Sequence, residues 1–132
     1  PRVARMQMIE PAWKMVLANK AMLPLLWEMA PGHPNLLEAA FDPAAIKGPQ
    51  VRKPILGREG ANVEIVGGEA SDGPYGAEGF VYQALHRLPK TEGGYPVIGS
   101  WVVASQSAGI GIREDDGPIT RDGSRFIPHY FT

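Results

Sequence analysis

The chain contains no cysteine, which excludes disulfides and thiolate chemistry and leans toward a cytoplasmic location. No charge of one sign dominates: 13 basic and 14 acidic residues leave a net charge of −1. That balance lacks the long-range field that draws a protein to nucleic acid or an acidic membrane. No apolar run approaches the roughly 20 residues of a membrane span, and the opening PRVARMQMIEPAW lacks a signal peptide's apolar centre. The three histidines, His33, His86 and His129, have no metal-ligand spacing. Neither a Walker A loop nor a G-x-S-x-G elbow is present. The first residue is not methionine, and the opening reads like the middle of a structured region. One lobe of something larger is therefore expected.

What is present is 44% hydrophobic over 132 residues, with 16 glycines and 13 prolines spread without repeat. That suits a single turn-rich unit with a core. IEPAWKMVLANK reads as extended-to-turn, with Pro11 delaying any helix. Asn19 is a plausible cap. Met22, Leu25, Leu26 and Met29 follow the spacing of an amphipathic helix, with Pro24 in its first turn and a stop at Pro31-Gly32. A second short helix is expected over residues 35–40, then a loop in FDPAAIKGPQ. Strands are expected over 50–56, 62–66 and 79–85, with an acidic, mobile surface loop over 67–79. Residues 95–104 and 108–113 read as a hairpin around 105–107, and the chain from Glu114 onward reads as turns. The fold class is α+β: a mostly antiparallel sheet with one or two helices.

VRKPILGREGANV, residues 51–63, is the most informative stretch. Val51, Lys53 and Ile55 alternate onto one strand face, so Lys53 interrupts an apolar row. A lysine there costs stability unless an anion meets it; its stem could instead run along the sheet with the head in water. Gly57 and Gly60 permit a tight turn or close approach to a ligand. Arg58 between them offers a planar fork for phosphate or carboxylate, or is a solvated loop residue. Lys20, at a helix start, either is simply exposed or turns away to neutralise a phosphate. Gln83 alternates inward with Val81 and Leu85; it satisfies a backbone group or, within VYQALH, reads a purine edge. Arg113 shares a strand face with Gly109 and Gly111, leaving room for a ligand on the sheet. Glu114, Asp115 and Asp116 are either a solvated turn or oxygen ligands for magnesium. Ser100, before a WVV run, reads as structural.

The segments EPAWKMVLANKAMLPLLWE, PGHPNLL, VRKPILGREGANV, VYQALHRLP, YPVIGSWVV and AGIGIREDDGPIT, in this order, resemble the C-terminal part of glutathionylspermidine synthase-like proteins, which are ATP-grasp acid–amine ligases. The resemblance covers nearly the whole chain. It implies an ATP-grasp-like lobe of a larger catalytic domain, residues 1–132 forming one C-terminal fragment. The implied activity is ATP-dependent amide formation: ATP phosphorylates a carboxylate, and an amine attacks the acyl phosphate. Glutathione and a polyamine are the implied acid and amine. Lys20 and Lys53 resemble the two lysines that hold ATP. Gly57, Glu59 and Gly60 resemble the phosphate-covering loop, with Arg58 as a lid residue. Gln83, Ala84, Leu85 and His86 resemble the adenine hinge, and Ile119, Thr120 and Arg121 a further nucleotide contact. Arg113 resembles the arginine near the phosphoryl group. Magnesium is implied as well, its principal ligands expected upstream, so the fragment's partner would be the rest of its own ATP-grasp domain and the fragment alone would be inactive. The other reading is a non-catalytic binding or structural module. Convergence of Lys20, Lys53 and Arg113 on one cleft separates the two.

Overall fold

The computed structural model describes residues 12–130. Pro11, expected to delay helix formation, lies outside them. Where an extended-to-turn segment is expected, Ala12–Ala18 winds into a 3-10 helix. Asn19, expected as the cap, instead forms a turn ahead of the first α-helix, α1, Met22–Met29: its side-chain oxygen accepts from the Ala21 amide at 2.8 Å and its carbonyl from the Met22 amide, while the cap position is Ala21, which no side chain caps. Pro24 is buried within the first turn, where its missing N–H leaves no helical bond unmade. The apolar stripe anticipated for this helix is not covered: Leu25 and Leu26 are exposed and Met29 is 81% exposed.

Seven strands follow: β1 Ala39–Ala40, β2 Gln50–Pro54, β3 Glu64–Ile65, β4 Phe80–Ala84, β5 Tyr95–Val103, β6 Gln106–Asp115 and β7 Arg125–Ile127. They form two antiparallel sheets, ordered β1-β4-β2-β3 and β5-β6-β7. The molecule is thus a small α+β fold. The helix expected over 35–40 does not form: residues 35–38 are irregular and Ala39–Ala40 is strand β1. Six residues behind a proline are too few to sustain a helix, and the free edge of β4 takes Ala39 opposite Gln83. β3 is shorter than expected because Asn62 is left-handed (φ 55°) and cannot belong to a strand. β2 stops at Pro54, so Ile55 leaves the row of Val51 and Lys53, although its amide still reaches the Gly79 carbonyl at 3.1 Å. Within FDPAAIKGPQ, Asp42 caps a single 3-10 turn, Pro43–Ala45.

The loop over 67–79 is irregular as expected, yet fastened: Ser71 bonds Val63 and Gly60, and the Tyr75 amide donates to the Asn62 side chain at 2.8 Å. The β5–β6 hairpin closes through Ala104 and Ser105, both left-handed, so the turn falls one position earlier than the residue pattern suggests. β7 was not anticipated in the turn-rich tail; it completes the second sheet beside β6. The buried centre is small, built from Ala39, Ile46, Val81 and Ile119 with Pro24 and Pro54.

Candidate functional site

β2 and β4 pair so that Val51 opposes Gln83 and Lys53 opposes Val81. Opposed residues in an antiparallel pair share a face, which puts Val51, Lys53, Val81 and Gln83 on one side of the sheet. Over that side lies a cavity of about 560 Å³, within the usual range for small-molecule sites. Its floor is Val51, Lys53, Ile65 and Gln83. One flank is the chain leaving β4, with Ala84, Leu85, His86 and Arg87. The opposite wall is Pro118, Ile119 and Thr120, with Gly60 at their foot. Lys90 and Tyr95, at the entry to β5, complete it. Both sheets therefore contribute.

Among the described residues, the lining contains Lys53, His86, Arg87 and Lys90 and no carboxylate. Lys53 donates to the Gln83 side-chain oxygen at 2.6 Å. Its pKa is lowered first by burial and then by the Lys20 charge. Lys20 is itself lowered by burial and by Arg58. Lys20 thus stands within electrostatic reach of both Lys53 and Arg58, and neither lysine has a carboxylate partner among the described residues. Lys20 does not line the cavity: its ammonium donates to the Gly57 carbonyl and its amide to Ile55, so it anchors the loop after β2.

That loop has little conformational latitude. Glu59, Gly60 and Asn62 are all left-handed, and a Cβ at Gly60 would collide with the Thr120 carbonyl. At Gly57 a Cβ would run into the Pro54 ring. Both glycines are required by close approach, one to the cavity wall and one to the end of β2. Glu59 and Arg121 face a second, smaller depression of about 270 Å³ beside Gly60. There Arg121 pairs with Glu69 at 3.1 Å.

Arg113 departs from expectation. Its guanidinium donates to the carbonyls of Arg121 and Asp122 and lies 5.4 Å from the Phe126 ring centre. It shares a face with Gly109 and Gly111 as anticipated; the Trp101 indole nitrogen lies over Gly111, while the space beside Gly109 is open. Arg113 therefore buttresses the segment behind the cavity wall and does not join the lysines. The three acidic residues after it are engaged too. Glu114 and Asp116 pair with Arg125, and Asp115 accepts from Ser124, the bond that chiefly lowers its pKa. Among the described residues, no group of three or more His, Cys, Asp or Glu can hold a metal, so magnesium has no ready holder there. No helix among them is long and apolar enough to cross a membrane.

Of the residues singled out from sequence, Lys53, Gly60, Gln83, Ala84, Leu85, His86, Ile119 and Thr120 meet around the cavity. Lys20, Gly57 and Arg58 do not line it, and Arg113, Glu59 and Arg121 lie elsewhere, so Lys20 and Arg113 do not converge with Lys53 on this cleft. Sequence reading missed Arg87, Lys90 and Tyr95. The basic run HRLPK directly after a strand was the available signal.

A protein-family model described as glutathionylspermidine synthase preATP-grasp matches residues 1–132. The chain is 47% identical, over 97% of its length, to a Haemophilus influenzae protein named as an acid–amine ligase. It is 40% identical over 89% to trypanothione synthetase of Crithidia fasciculata, and 31% identical over 90% to the bifunctional glutathionylspermidine synthetase/amidase of Escherichia coli. The chain spans 36%, 19% and 20% of the length of these curated relatives, respectively. The preATP-grasp match over residues 1–132 corrects the expectation of a C-terminal ATP-grasp portion. Shared motifs identify a family but carry no position within its longer members.

Proposed function

The chain belongs to the glutathionylspermidine synthase preATP-grasp family, and on that premise we propose that it supplies a nucleotide-holding cavity to an ATP-dependent ligase joining a carboxylic acid to an amine. Lys20 and Arg113 do not join Lys53 in the cleft, so the reading is carried instead by the cavity's own basic groups: a half-buried Lys53 with His86, Arg87 and Lys90, and no carboxylate among the described lining residues. Such a site attracts an anion, and its apolar flanks suit an aromatic base.

In this reading Lys53 meets the phosphates, while Arg58, exposed on the glycine loop, closes over them. Lys20 fixes that loop from behind. The amides of Ala84 and Leu85 already donate to Glu38 and Pro49, so a purine edge would be read by His86 and by carbonyls of the same strand exit. Gln83 holds the Lys53 ammonium in place. Arg113 steadies the Ile119–Thr120 wall through the backbone that follows it. ATP, when bound, supplies the phosphoryl group that activates the acid. Glutathione and a polyamine are the proposed acid and amine, since the names of the relatives include glutathionylspermidine and trypanothione synthetases.

The test is calorimetric titration of the protein with ATP. Lys53→Ala should weaken binding by about ten- to a hundredfold, the scale of one lost charge-assisted hydrogen bond. An unchanged affinity in that variant defeats the reading.

A further inference from the structure

The outer end of the cavity is built from residues that no sequence motif marked. Tyr95, the first residue of β5, is half-buried with its ring on the cavity, and the Lys90 ammonium stands 5.8 Å from the ring centre. The turn between them is clamped. The Thr91 amide donates to the Gly94 carbonyl at 2.8 Å, and its hydroxyl reaches Glu114 at 3.3 Å. Arg125 donates to the Gly93 carbonyl at 2.7 Å and also pairs with Glu114 and Asp116. Gly94, at φ +133°, has no space for a side chain because it abuts the Asp115 carbonyl, and Gly93 lies against the Glu114 carboxylate.

Tyr95 is thus presented by the second sheet and Lys90 by the connection that leads into it, independently of the strands that carry Lys53. A partly buried aromatic ring held rigidly on a largely apolar wall offers a π face to a flat ring system, and the adjacent cation favours the electron-rich edge of a purine. We propose that Tyr95 stacks on the purine base of the bound nucleotide, with Lys90 at its edge and Arg125 acting as the positioning residue. This rests on the nucleotide reading given above and adds to it the residue that selects the base.

The experiment titrates the protein with ATP, adenosine and inorganic triphosphate. Tyr95→Leu should weaken ATP and adenosine alike by about tenfold, the scale of one base–aromatic stack, and leave triphosphate unchanged. Tyr95→Phe should stay within about twofold of the parent, because the ring is retained. If Tyr95→Leu does not fold, Tyr95→Trp replaces it, and its added indole emission should change on saturation with adenosine. ATP bound as tightly by Tyr95→Leu as by the parent, or an emission at position 95 indifferent to adenosine, overturns the stacking proposal and leaves the cation site standing. Failure of the unmodified protein to bind ATP overturns both.

Discussion

Lys53 sits where a charge is disfavoured. Burial and the Lys20 ammonium both lower its pKa from the ordinary 10.5. Between that lowered value and 10.5 the unfolded chain holds a proton that the folded chain has released, so the stability of the free protein rises with pH across this window. Below the window the deficit is constant. A bound phosphate reverses the preference and draws the proton back. Affinity for ATP should therefore fall as pH climbs through the same window, earlier than for a solvated lysine, and titrations from pH 7 to pH 10 would read it. Flat affinity over that range contradicts a charged Lys53 at the phosphate. The period-two pattern made the inward direction of Lys53 legible from sequence. The role of Gln83 was not legible, because strand alternation says which way an amide points and nothing about which ammonium it meets.

At the scale of elements, the glycine loop is held by packing. Gly60 combines φ +72° with direct apposition to Thr120. Gly60→Ala should cost about 2 kcal/mol or more through strain and displacement of the cavity wall, measurable as a lowered denaturation midpoint. An unaltered midpoint would mean the loop is free to move away. The strands β2 and β4 and the β5–β6 hairpin were legible because each carries its own alternation and turn residues. β1 and β7 were not. Two and three residues long, they exist only because a neighbouring strand offers unpaired backbone groups, a fact of tertiary structure that no local pattern encodes. Arg113 was misread for a related reason: the carbonyls of Arg121 and Asp122 that engage its guanidinium lie in a later turn, which no strand pattern reveals.

For the molecule as a whole, the proportion of uncovered apolar surface is the dominant physical fact. Beyond the α1 stripe, the distal half of the long hairpin exposes Ile98 at 66%, Trp101 at 61%, Val102 at 67% and Val103 at 60%. Surfaces of this kind drive association. The 132-residue chain on its own should self-associate, and Ile98→Lys with Val102→Lys should reduce the apparent mass in light scattering without changing its circular dichroism. A monodisperse monomer before substitution would refute this.

The cavity is lined from β2 and β4 of one sheet, from Tyr95 of the other and from the 118–120 segment between β6 and β7; besides the chain passage from β4 to β5, the Gly60–Thr120 apposition and the Glu69–Arg121 ion pair tie the two sides. Any change in the angle between the sheets must then widen or narrow the opening. An occupant touching both Lys53 and Thr120 would act as a strut, adding a further tie between the two layers. Amide exchange would slow in both at once, although no residue outside the lining touches the guest.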